Sequence, residues 1–237
     1  MSKQPNIPEA LPVPEPPRPS AARLVSRFLG LLLLAAVGIL TLLGAGNLDG
    51  LGSVLGLLRP RSATVGILAG HWKNDSGAVC EDGLTEVEIN LAVAQAVVEK
   101  LRAEGIDAEL LPEFDRRLNG YRSRVFVAIH TDSCVSLSGF KVARMTHAND
   151  PEAEDRLVQL LTSSYGQATG LEPHKDTITE DMRQYHALRR ISPDTAGAII
   201  ELGFMGGDRA LLTTHPEWAA TGIARGIVAW LQESDTP

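Results

Sequence analysis

The sequence predicts a single α/β domain, with a mostly parallel sheet flanked by helices on both faces, preceded by one transmembrane helix. Three observations carry this reading. Between residues 63 and 237, short apolar runs alternate with longer amphipathic stretches, the pattern of parallel strands joined through helices. The runs TVGILAG, VFVAIH and AGAIIEL are apolar almost throughout, as strands covered on both faces are. Upstream, Phe28 to Leu48 is a stretch of 21 residues without a charge, which as a helix spans about 30 Å, the thickness of a bilayer's hydrocarbon core.

Taken in order, residues 1–27 hold PNIPEALPVPEPPRPS with seven prolines and little apolar bulk, so they read as an extended, disordered tail. Residues 28–48 form the anchor. Arg18, Arg23 and Arg27 precede it and Asp49 follows, which places the tail in the cytoplasm and the remainder outside. A cleaved signal peptide is the rival reading, since Gly44, Ala45 and Gly46 suit a peptidase, but the apolar run is longer than the usual signal core. Residues 49–62 are a Gly-rich linker. The domain, 63–237, opens on the strand TVGILAG. A helix follows in which Leu84, Val87, Leu91, Ala94, Val98 and Leu101 share a face that ends near Gly105. DAELL, VFVAIH and GFKVARM read as strands, EAEDRLVQLLTSSYGQAT as a second helix and AGAIIEL as a buried strand. Pro216 begins a last helix with Ile223, Ile227 and Leu231 on one side.

The formal charge is −7, and residues 1–58 carry four basic against three acidic side chains, so the acidity belongs to the domain. Without a basic stripe there is no electrostatic footprint for phosphate, and nucleic acid is set aside as a partner. The two cysteines, Cys80 and Cys134, are too few for a disulfide-built scaffold. They form no Cys-x-x-Cys pattern. Placed on loops near one edge of the sheet, they either pair in an oxidising exterior or stay as two free thiols.

Four polar residues stand at the ends of apolar runs or at a helix start: His71, Glu86, His130 and Glu201. In parallel sheets ligands bind beyond the carboxyl ends of the strands, where residues distant in sequence converge. Two imidazoles and a carboxylate make a suitable catalytic zinc site, since three protein ligands leave a position open. A further carboxylate can then act as the base toward water. Each residue also has a simpler reading. Glu86 would suit the positive end of its helix, and either histidine could be hydrogen-bonded structure at a strand end. Glu201, directly after Ala198, Ile199 and Ile200, is harder to explain that way, because its charge enters a largely buried place.

The stretch AGHWKNDSGAVCEDGLTEVEINLAVAQAVVEKLRAEG, with AIHTDS and AIIELGFMGGDRALL further on, resembles the zinc-dependent N-acetylmuramoyl-L-alanine amidases of the amidase-3 type. The resemblance implies an enzyme that hydrolyses the amide between N-acetylmuramic acid and L-alanine in peptidoglycan. It also implies Zn2+ as cofactor, with His71, Glu86 and His130 as metal ligands and Glu201 as the catalytic carboxylate. Glu88 competes with Glu86 for the metal, but Glu86 holds the family spacing, four residues before Asn90. Asp75 and Asp132 are candidates to orient the histidines, or else turn residues. His186 either points into the cleft or is a surface loop histidine. Trp72 and Lys73 stand where the family commonly has glycines, and the segment LPEFDRRLNGYRSR is short. Both departures bear on substrate preference more than on chemistry. Two alternatives stay open: a catalytically silent peptidoglycan-binding or regulatory module, and a zinc peptidase cutting within the stem peptide. The expected place is the cell membrane, single-pass, with the catalytic domain outside the cytoplasm.

Overall fold

The computed structural model describes residues 63–235. The expected tail, anchor and linker lie outside the described residues. Among the described residues no helix is long and apolar enough to cross a membrane.

Five strands form one sheet: β1 (Val65–Ala69), β2 (Ala108–Pro112), β3 (Val125–Asp132), β4 (Lys141–Ala143) and β5 (Ala196–Phe204). Their order is β2-β1-β3-β5-β4. The first four run parallel, and β4 alone is antiparallel, paired to β5. Odd and even positions of the strands face two separate cores. Val65, Ile67, Val125, Val127, Ala198 and Ile200 enter one, while Leu68, Phe126, Ala128 and Ile199 enter the other. Both faces of the sheet are therefore dry, which is why the strands read as unbroken apolar runs.

The helices are shared unequally between these faces. Three long helices, α1 (Glu86–Ala103), α2 (Pro151–Thr169) and α5 (Pro216–Ser234), all pack on the first core. The second is closed by Leu118, Tyr121, Met182, Ala187 and Leu188, carried by short turns and the four-residue α3 (Glu180–Arg183). The reason is topological. From β1 the chain crosses over α1 to β2 on one side, then must return past β1 to β3 on the other. Right-handed connections send that return across the opposite face. The return is the short segment after Pro112, with room for one 3-10 turn at Arg116–Leu118 but not for a multi-turn helix. A six-residue helix, α4 (Arg209–Thr214), completes the set before α5.

The apolar face of α1 is also rotated from the one its spacing predicts. Ala94, Val98 and Leu101 are buried as expected, but the centre of the face is Ile89, Val93 and Val97, with Glu86 and Asn90 buried on the same side. Val87 and Leu91 fall on its flank. Two polar residues on the buried stripe mask its true axis. On α5, Ile223, Ile227 and Leu231 are buried together as expected.

Cys80 and Cys134 are joined in a disulfide, with Cα atoms 5.6 Å apart. It ties the loop before α1 to the loop after β3 across a separation of 54 residues. A bond closing a loop of that size contributes about 2–4 kcal/mol, chiefly by restricting the unfolded chain.

Candidate metal centre

Three side chains converge at the carboxyl ends of β1 and β3. His71 lies just beyond β1, Glu86 is the first residue of α1, and His130 is near the end of β3. Among the described residues, these three form the group whose ligand atoms all lie within 4.8 Å of one another. Glu86 stands between the histidines. Its Oε2 is 3.2 Å from His71 Nε2, and its Oε1 is 3.1 Å from His130 Nδ1. The carboxylate is fixed from behind by three donors, the backbone N–H groups of Ala78 and Thr131 and the Asn90 amide, at 3.1, 3.2 and 3.1 Å. Asn90 in turn donates to Gly70 O and accepts from the Thr131 hydroxyl. Two nitrogen donors and a carboxylate oxygen on rigid elements suit a divalent metal held by three protein ligands.

Two glycines make room for this convergence. A Cβ on Gly70 would lie 2.4 Å from the His130 ring, and one on Gly77 would lie 2.6 Å from Glu86 Oε2. His71 itself has φ 65 and Lys73 has φ 61, a left-handed backbone that costs a non-glycine residue about 1–2 kcal/mol. The Lys73 ammonium sits over the Trp72 ring, 4.4 Å from its centroid. Trp72 packs against the first core and Lys73 is exposed on the turn that follows His71.

The electrostatics follow from the shared carboxylate. Hydrogen bonding to Glu86 raises the His71 pKa to about 9 against the opposing effect of burial, with Asp75 adding to the rise. Burial works against ionisation of Glu86, but hydrogen bonds from His130 and His71 outweigh it and hold the group well below the usual carboxylate range. For His130 burial favours the neutral ring, yet Glu86, Glu201 and Glu113 together raise its pKa. A cation in the middle of this cluster would take over the role these protons play.

Glu201 is on the adjacent strand, and its Cα is the register partner of His130. The residue as a whole is half-buried, but its Oε2 is sealed from solvent and has no hydrogen-bond partner. Burial pushes its pKa up to about 7. The charge of His130 opposes this, Glu86 and Asp132 reinforce it, and Lys141 opposes it.

The remaining expectations divide. Asp75 orients His71, with Oδ1 2.5 Å from Nδ1. Asp132 does not meet a histidine; it pairs with the buried Lys141 across the sheet edge. Glu88, the rival ligand, accepts from the Thr85 backbone N–H and hydroxyl at 3.1 and 2.8 Å, closing the capping box of α1. His186 is half-buried, bonds Glu113 and stacks on the exposed ring of Phe114 at 4.5 Å.

Two residues beside the centre escaped the sequence reading. Glu113 directly follows β2 and is buried. It accepts from the His71 backbone N–H at 2.8 Å and the Tyr185 hydroxyl at 2.6 Å, and His186 Nε2 lies 2.6 Å from it. Tyr185 lies in the turn after α3, and its oxygen is 3.0 Å from His130 Nε2. The rule that found Glu201, a polar residue where an apolar strand ends, applies equally to Glu113 after AELLP. Nothing in the sequence marks Tyr185.

Comparison with known proteins gives a consistent picture. The model of the family described as N-acetylmuramoyl-L-alanine amidase matches residues 65–229. Among solved structures, N-acetylmuramoyl-L-alanine amidase from Clostridium difficile 630 superposes with a TM-score of 0.59 at 18% identity, covering 73% of this chain and 98% of that one. N-acetylmuramoyl-L-alanine amidase AmiC2 of Nostoc punctiforme gives 0.54 at 26% identity, covering 73% and 99%. The uncharacterized protein YqiI of Bacillus subtilis (strain 168) is 39% identical over 82 residues, 31% of this chain and 39% of that protein. The chain thus aligns with well under half the length of this curated relative.

Proposed function

The chain belongs to the N-acetylmuramoyl-L-alanine amidase family, and from that premise we propose that it hydrolyses the amide between N-acetylmuramic acid and L-alanine in peptidoglycan with the help of zinc. The observation that carries the proposal is the convergence of His71, Glu86 and His130 within 4.8 Å, beside a carboxylate whose pKa of about 7 suits proton transfer. Zinc bound by these three residues would polarise the scissile carbonyl and acidify a water at the open position.

The chain's own residues supply the rest. Glu201 lies in register with His130, and its carboxylate, raised toward neutrality by burial, accepts the proton of the attacking water. A group with a pKa near neutrality can then return that proton to the departing amine of the stem peptide, because it is neither too weak a base nor too weak an acid. Glu86 stays ionised between the histidines, and Asp75 holds the His71 ring, so neither needs to move during the reaction.

Incubating the full-length protein with purified peptidoglycan and identifying the released ends by mass spectrometry tests the reading. Free L-alanine amino termini on intact stem peptides are expected. Cleavage within the stem would replace the proposal by a peptidase. Binding without any release would replace it by a silent wall-binding module.

We also propose that Phe28–Leu48 is an uncleaved anchor and that the domain works outside the cytoplasm, at the wall. The charge-free length of that segment supports the anchor. The Cys80–Cys134 disulfide supports an oxidising compartment. The full-length chain is expected in the membrane fraction after carbonate extraction. Its recovery as a soluble protein of full length would refute the anchor, and a shortened secreted form would indicate signal cleavage.

A further inference from the structure

The two histidines of the centre are held in the same way, although by different partners. Each has one ring nitrogen toward the Glu86 carboxylate, His71 through Nε2 and His130 through Nδ1. The other nitrogen faces an oxygen: Asp75 Oδ1 for His71 and the Tyr185 hydroxyl for His130. A hydroxyl has one proton to give and lone pairs to accept with. The Tyr185 hydroxyl donates to Glu113 Oε1 at 2.6 Å, while Glu113 Oε2 accepts the backbone N–H of His71 at 2.8 Å. The oxygen of Tyr185 is then left to accept from His130 Nε2, so the proton that His130 gives up to a metal is the one on Nδ1, which in the metal-free chain faces Glu86.

We propose that Glu113 and Tyr185 are positioning residues of the metal centre, holding His130 with Nδ1 toward the metal and pinning the left-handed backbone of His71. This inference rests on the proposed reading of His71, Glu86 and His130 as metal ligands. One carboxylate serves both histidines: Oε2 accepts from the His71 N–H and Oε1 from the Tyr185 hydroxyl. The strained φ of His71 makes that anchor necessary, because a relaxed backbone would swing the ring away from Glu86. Burial of Glu113 also finds its reason here. A buried carboxylate is costly unless donors surround it, and around Glu113 stand the His71 backbone N–H, the Tyr185 hydroxyl that reaches His130, and His186.

Zinc affinity of the full-length chain, measured by competition with a chromophoric chelator, tests the inference alongside the absorption spectrum of the cobalt-substituted protein. Tyr185→Phe and Glu113→Gln are each expected to weaken zinc binding about 10- to 100-fold, and to change the cobalt spectrum because the imidazole is no longer held in one tautomer. Tyr121→Phe removes a comparable bond elsewhere, from the Tyr121 hydroxyl to Glu109 at 2.7 Å, and is expected to leave both readouts unchanged. That control separates positioning from a general loss of a buried tyrosine bond. If Tyr185→Phe and Glu113→Gln bind zinc like the native chain while His130→Ala does not, the inference fails and the metal site stands. If His130→Ala keeps native affinity, the metal reading itself fails, and the inference falls with it.

Discussion

Glu201→Gln is expected to leave the chain with its zinc and to slow release of stem peptides by a factor of about a hundred or more. The two halves of that expectation come from different features. Glu201 is outside the group of three whose ligand atoms lie within 4.8 Å, so the metal should stay at about one per chain. Burial raises its pKa to about 7, so the carboxylate can take up and return a proton, which an amide of the same shape cannot do. Rate and metal content are measured on the same sample. An inactive variant that has also lost its zinc makes Glu201 a ligand and reopens the place of Glu86. A fully active variant moves the base elsewhere, with His186 next. The pH dependence has a definite sign. A base whose pKa is raised to about 7 is protonated and idle below that value, so hydrolysis should rise with pH through neutrality. The Gln variant should lose that limb of the profile.

How much of this was legible in the sequence depends on whether burial and polarity agreed. Strands such as Val65–Ala69 are buried along their whole length, and an apolar run announces that directly. Where a polar residue is buried for the sake of the site, the same logic misleads. Glu86 and Asn90 occupy the buried stripe of α1, so counting apolar residues turned the face toward Val87 and Leu91. His71, His130 and Glu201 were found because each ends an apolar run. Glu113 ends one too, but Pro112 before it and the turn after it read as plain loop. Tyr185 could not be found at all, because its place depends on how a segment without periodicity folds across the second face of the sheet. The unequal sharing of helices was hidden for a related reason: it follows from strand order, which the pattern of runs does not contain.

His130→Ala and His71→Ala are expected to lose zinc and activity together, in contrast to the Glu201 variant. Each removal leaves two protein ligands, too few to hold the metal against water at ordinary concentrations. Removing the buried His130 ring also strips Glu86 of a hydrogen bond at 3.1 Å, leaving a buried carboxylate with one partner fewer. The native chain should show the same linkage through pH. Without metal, His71 keeps its proton up to about pH 9, chiefly through its hydrogen bond to Glu86. Zinc must displace that proton, so its affinity should fall as pH drops below about 9, by up to about tenfold per unit for each proton released. Lowering pH therefore favours the metal-free state, and raising it favours the loaded one. Equilibrium dialysis of native protein, His71→Ala and His130→Ala over a pH series separates the outcomes. Retention of about one zinc per chain by either alanine variant would remove that histidine from the ligand set. A native affinity flat with pH would mean that no proton is displaced when the metal binds, and the competition between zinc and the Glu86-held proton would have to be abandoned.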